Sequence, residues 1–163
     1  MRNGHIFSLL AFIIFGPLVG CKVTSPGKTE TAIVQWTKHN VTLRGAHEKN
    51  PIESSADTIE AGKQIFGFYC VVCHGRDGQN TGVPFSGSMS PPIPSLASAD
   101  VQRYSDGQLK WIIQNGISPS GMPASKGILS DTDMWTIVVY LRHLPKRGSL
   151  GEPRAYSGDE YEK

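Results

Sequence analysis

The chain has 163 residues, with 16 Lys and Arg against 14 Asp and Glu, a net charge of +2. That balance, with no basic stripe anywhere along the chain, argues against a nucleic-acid partner. It holds only three cysteines, Cys21, Cys70 and Cys73, and each has its own reading below, so none is left over for a disulfide.

Residues 1–20 read as a secretory signal. Arg2 supplies a charged start, and Ile6–Val19 is an apolar run broken only by Ser8, Gly16 and Pro17. A spanning helix needs roughly 20 apolar residues, whereas a signal core is shorter. The run ends in Leu18-Val19-Gly20-Cys21, which resembles the lipobox of bacterial lipoproteins. The resemblance implies cleavage before Cys21 and acylation of that cysteine, and two or more acyl chains make a durable membrane anchor. Lys22 follows, where an aspartate often signals inner-membrane retention, so the outer membrane is favoured. Without Arg2, 15 basic residues face 14 acidic ones. Asn40-Val41-Thr42 matches a glycosylation sequon, which a bacterial export signal makes a chance match.

Residues 21–56 are mostly polar and suit a tether. Within them Ile33, Val34, Trp36, Val41 and Leu43 leave two readings open, an extended arm on the domain surface or a free linker. Residues 57–145 form one small domain, whose core is modest for its length. Residues 146–163 form a charged, Gly-rich, loosely ordered tail.

The domain reads as all-α. A first helix runs from Asp57 to Cys70, with Asp57 as its cap, Glu60 at the capping-box position, and Ile59, Ile65, Phe66 and Tyr69 on one stripe. A short helix follows Ser98. A third spans Ser105–Asn115, opened by Ser105 and Gln108 and stopped by Gly116. The last spans Asp131–Leu144, capped by Ser130 with Asp133 at N3 and stapled by Leu129 and Met134. Arg142 and His143 close it, and Pro145 ends it. The Gly- and Pro-rich stretch 75–94 is a loop.

The pentad Cys70-Val71-Val72-Cys73-His74 carries the chemistry. Cys-x-x-Cys-His is the attachment signature of a c-type haem. Two thiols three residues apart share one face of a helical turn, where both can bond to vinyl groups along one haem edge. The adjoining histidine can bind iron through an imidazole nitrogen. A redox dithiol would follow a strand in a βαβ unit, and a structural zinc would need a second ligand pair. Neither is present.

Gly62, Phe66 and Cys70 at four-residue steps, the pentad, and Ile137 with Tyr140 on the last helix together resemble a class I cytochrome c over residues 57–145. The resemblance implies the cytochrome c fold around one covalent haem c, with Gly62 allowing the last helix close. It also implies a methionine as sixth iron ligand. Met122, in Gly121-Met122-Pro123, suits a loop laid across a haem face. Met89 is a second candidate, and Met134 belongs to the core stripe. A histidine ligand (His39, His47 or His143) or an open iron are the other cases. The family orients its proximal histidine with a proline carbonyl, and Pro84 is the match. Arg76 and Trp111 are candidates for haem propionate contacts.

Two strong protein ligands leave no position for substrate, and a thioether ligand favours ferrous iron. The expected protein is therefore a monohaem electron carrier rather than an enzyme, held in the periplasm by its lipid and exchanging electrons with redox partner proteins. The alternatives are a haem subunit fixed to a dehydrogenase or oxidase, and an open-site haem peroxidase or sensor.

Overall fold

A computed structural model describes residues 27–37, 44–118 and 120–157. The signal segment, Cys21, His39 and Asn40 lie outside the described residues. Two compact units divide after Val34. That boundary falls inside helix α1, Lys28–Thr37. The tether was expected to be extended or free, and over these residues it is helical. Gly27 precedes a stretch without Gly or Pro, and Glu30, Ala32 and Gln35 are good helix formers. The β-branched residues around them obscure that preference.

The second unit is built from α2 (Ala56–Tyr69), α3 (Val71–His74), α4 (Ala99–Gln102), α5 (Asp106–Asn115), α6 (Asp131–Leu141) and α7 (Arg154–Ser157). Among the described residues, β pairing is limited to two isolated bridges, Ile117 with Met122 and Lys126 with Leu129. The all-α expectation therefore holds for this unit.

Capping explains the starts. Ser105 with Gln108, and Ser130 with Asp133, form the expected capping boxes of α5 and α6. Ser98 accepts the Val101 N–H at the start of α4. For α2 the cap is Ser55, not Asp57. The Ser55 hydroxyl accepts the Thr58 N–H at 3.2 Å, and Thr58 Oγ1 accepts the Ser55 N–H at 2.8 Å. Threonine at N3 thus replaces the usual Glu or Gln. Asp57 sits in the first turn, where it favours the helix dipole, and Glu60 pairs with Lys63 instead.

Helix α6 is the core element. Every residue from Met134 to Leu141 is buried, as expected for a helix that is enclosed all round. It ends at Leu141, three residues before the expected stop, so Arg142 and His143 lie beyond it. Arg142 is drawn aside: its guanidinium reaches Asp106 at 2.9 Å and the carbonyls of Gln102 and Tyr104. Gln102 Nε2 in turn donates to the Leu141 carbonyl.

The main crossing is α2 against α6. A Cβ on Gly62 would run into the Thr136 carbonyl and lie 2.9 Å from the Tyr140 Cβ. Glycine is thus required there by contact, not by backbone angle. The approach sets the Phe66 and Tyr140 rings 5.3 Å apart at their centroids.

Both flanks of the domain are fastened to it. Asn50 donates to the Trp135 carbonyl on α6 at 3.0 Å, and Gly45 lies against Gly107. The stretch 44–55 is therefore docked rather than free. The tail was expected to be loose, yet residues 146–157 return to the pentad. The Gly148 N–H reaches Asp77, and the Tyr156 hydroxyl donates to the Val72 carbonyl at 3.0 Å. Tyr156 also meets Phe85 edge-on. Tyr156 and the buried Pro153 supply a grip that a polarity count overlooks.

Replacing Gly62 by alanine should cost roughly 1–3 kcal/mol, because one methyl has to push two packed helices apart. Urea unfolding of the haem-loaded protein checks this, and an unchanged midpoint would contradict the crossing described here.

Candidate functional site

The pentad is a continuous turn. Cys70 closes α2 and opens α3, its N–H reaching Phe66 and its carbonyl accepting from both Cys73 and His74 at 3.2 and 3.0 Å. Gly75, at φ 72°, ends the turn where a side chain would be strained and would also strike Thr81. Both thiols are half-buried and free. Burial, and then the neighbouring Cys73, push the Cys70 thiol up to about 12.

Burial lowers the His74 imidazole to about 4, so it is neutral near pH 7, the form that binds metal. Its ring lies 6.4 Å from that of Phe66. His74 Nδ1 is buried with no hydrogen-bond partner. The expected bond from Nδ1 to the Pro84 carbonyl is therefore not made, and Pro84 is exposed. The chain leaves the pentad in a closed loop, where the Asn80 N–H returns to the His74 carbonyl at 2.8 Å.

Met122 sits in the connection between α5 and α6. The Ile117 N–H donates to the Met122 carbonyl at 3.1 Å, and Gly116 and Gly121 both adopt positive φ. A Cβ on Gly116 would meet that same carbonyl, so the turn depends on glycine. Met122 is half-buried, and it packs against the same apolar cluster as Cys70, Trp111, Ile117 and Leu96. Met134 is a core residue, as expected. Met89 is more exposed, its methyl 3.6 Å from the Cβ position of Gly121. Of the histidines, His143 is engaged by Ser54 and the Val139 carbonyl, and His47 is exposed.

These residues fit a covalently held haem. Two free thiols share a turn, a neutral histidine follows, and Cys70 and a thioether line one apolar cluster. Tyr69 and Val72, beside the thiols, expose apolar side chains.

Asp77 was not foreseen. It is wholly buried, and its carboxylate accepts from the Gln79 N–H at 2.8 Å, the Thr81 hydroxyl at 2.6 Å and the Gly148 N–H at 2.7 Å. Burial alone would raise its pKa, but these three donors outweigh it and hold the carboxyl below its ordinary value. The signal was present: Asp two residues before an N–H it can accept is an Asx turn, here set between Gly75 and Gly78.

Residues 57–141 match the family model described as cytochrome c oxidase, cbb3-type, subunit III. The chain belongs to this family. Its cytochrome c domain starts in the first turn of α2 and ends with α6. Similar stretches occur in two curated proteins. One is the quinohemoprotein alcohol dehydrogenase ADH IIB of Pseudomonas putida, 29% identical over 56% of this chain and 12% of that protein. The other is the thiosulfate dehydrogenase of Stutzerimonas stutzeri (strain A1501), 32% identical over 59% of this chain and 30% of that protein. The cytochrome c domain thus spans less than a third of either relative. A c-type cytochrome domain carries haem c and suggests electron transfer.

The Asp77 bonds set a pH dependence. A carboxyl held below its unfolded value near 3.9 stabilises the fold above that pH, and the gain is lost as pH falls through the lower folded value. Asp77→Asn should cost about 1–3 kcal/mol at pH 7. The deficit relative to wild type should shrink below about pH 4. Paired urea titrations from pH 3 to pH 8 measure it.

Proposed function

We propose that the chain is a monohaem electron carrier of the bacterial cell envelope, with its haem bound through Cys70 and Cys73 and its iron held by His74 and Met122. The observation that carries this reading is that Cys70, on the turn shared with Cys73 and His74, packs against the same apolar cluster as Met122. The haem would supply a one-electron Fe(II)/Fe(III) couple. The rest is the work of the chain. The α2–α3 turn presents both thiols, burial keeps His74 neutral, and the glycine-bounded turn at 116–122 presents a thioether that favours ferrous iron. With the iron held by both His74 and Met122, outer-sphere transfer to redox partner proteins would be favoured over substrate chemistry.

The sequence at Leu18–Cys21 supports cleavage before Cys21 and a lipid on that cysteine, placing the domain in the periplasm on a membrane anchor. Lys22 favours the outer membrane. Among the described residues no helix is long and apolar enough to cross a membrane.

A second reading, a haem subunit fixed to a dehydrogenase, is favoured by the two relatives, both named as dehydrogenases and both much longer than the matched stretch. Purification at native abundance separates the two: a carrier elutes alone, whereas a fixed subunit elutes with a larger oxidoreductase.

The full chain, made in a host that attaches c-type haem, should show an iron–sulfur charge-transfer band when ferric, and Met122→Ala should lose it. A wild type that is already high-spin and binds added small ligands readily would refute the carrier assignment and favour an open haem site. Cys21→Ser should abolish labelling by a radioactive fatty acid and shift the protein from the membrane to the soluble fraction. Retention on the membrane would rule out the lipid anchor.

A further inference from the structure

Asp77 is a buried carboxylate without a cation. Its three partners are two backbone N–H groups and one hydroxyl. None of the ion pairs formed among the described residues includes it. Dipoles stabilise such a charge but do not cancel it, so its field reaches outward through a medium of low polarity.

Its position makes that field matter. Asp77 follows His74 by three residues, so their Cα atoms are at most about 11 Å apart. The separation is kept short by the loop itself: the Gly78 N–H returns to the Gly75 carbonyl, and the Asn80 N–H to the His74 carbonyl. The Tyr140 hydroxyl donates to the Arg76 carbonyl at 3.3 Å, which ties the loop to α6. The Tyr140 ring lies tilted against Phe66, with centroids 5.3 Å apart, and the Phe66 ring lies tilted toward His74 at 6.4 Å. The Tyr140 phenol is raised by burial first and then by the Asp77 and Glu60 charges. Residues 145–156 keep the site dry. The Pro145 carbonyl accepts from Gln79 Nε2 at 2.8 Å, the Gly148 N–H caps the carboxylate, and Pro153 is buried.

We propose that Asp77 tunes the redox chemistry as a fixed buried anion on the loop that follows His74, one that would lower the reduction potential of a haem held by His74 and offset part of the rise from a Met122 thioether. The proposal rests on the haem reading above. A fixed negative charge near a one-electron centre opposes the arrival of the electron. The C-terminal strap is part of the device, because it supplies one of the three donors and excludes water that would screen the charge.

The sign of the effect separates charge from structure. A loosened loop admits water, which favours ferric iron and lowers the potential. Loss of the anion raises it. The test is spectroelectrochemical titration of the haem-loaded full chain at pH 7, comparing wild type, Asp77→Asn, Thr81→Val and Tyr156→Phe. Asp77→Asn should raise the equilibrium constant for reduction by a common mediator about tenfold, the size of one charge removed at roughly 10 Å under an effective dielectric near 20. Thr81→Val keeps the charge and removes one donor, so it should lower the potential, and by more than Tyr156→Phe, which frees the strap from the Val72 carbonyl between the thiols and leaves the Asp77 donors in place. An unchanged or lowered potential in Asp77→Asn overturns the proposal. If that variant fails to mature, a rise, no change, or a fall no larger than that of Tyr156→Phe in Thr81→Val overturns it instead. A wild type without a c-haem spectrum would sink the haem reading itself, and the proposal with it, whereas an unshifted potential in a haem-loaded variant removes the proposal alone.

Discussion

The close passage of α2 over α6 at Gly62 is the contact on which the site depends. With no side chain at that position, the backbone of α2 can settle against the Thr136 carbonyl and the Tyr140 Cβ. One turn further along α2, Phe66 then lies between Tyr140, at 5.3 Å, and His74, at 6.4 Å, between ring centroids. The next turn ends in Cys70, whose carbonyl holds Cys73 and His74 in register. A wider crossing would leave these rings without their neighbours, and the pentad would close a helix with nothing behind it. The packing of two helices and the placement of the ligand histidine are thus one constraint, expressed at successive turns of α2.

A second organising feature is the treatment of polar groups in this small domain. Helix α6 is enclosed on every side, so its ends must be satisfied by side chains. Ser130 and Asp133 do this at the start, and Gln102 caps the Leu141 carbonyl at the other end. Arg142 leaves the helix to bridge Asp106 with the carbonyls of Gln102 and Tyr104. Lys110, also buried, is paired with Asp131 at 2.5 Å and lies over the Trp135 ring. Each buried charge has found donors or acceptors, as a low-polarity interior requires.

Much of this was readable in the residues. Helix type and capping for α5 and α6 follow from Ser-x-x-Gln and Ser-x-x-Asp, because those patterns satisfy orphan backbone groups locally. The thiol and histidine spacing follows from helical geometry. What could not be read was set at longer range. Ser55 caps α2 through Thr58, a threonine box that a search for Glu or Gln passes over. Arg142, which caps the end of α6, is held by Asp106, 36 residues away. The bond from Pro84 to His74 was implied by the family resemblance, and His74 Nδ1 has no hydrogen-bond partner in this structure. The grip of the tail depends on Asp77, a residue that reads from sequence as one more polar loop position.

The fastened flanks bear on where this domain begins and ends as a transferable part. The family match covers residues 57–141, which would be the obvious stretch to fuse to another enzyme or to express alone. That cut omits Ser55, the cap of α2, and Asn50, which covers the Trp135 carbonyl. At the other end it discards Gly148, which leaves Asp77 one donor short, and Tyr156, which anchors the segment between the two thiols. The fastened unit is wider than its recognisable pattern: its contacts reach at least from Gly45, against Gly107, to Tyr156, on the Val72 carbonyl.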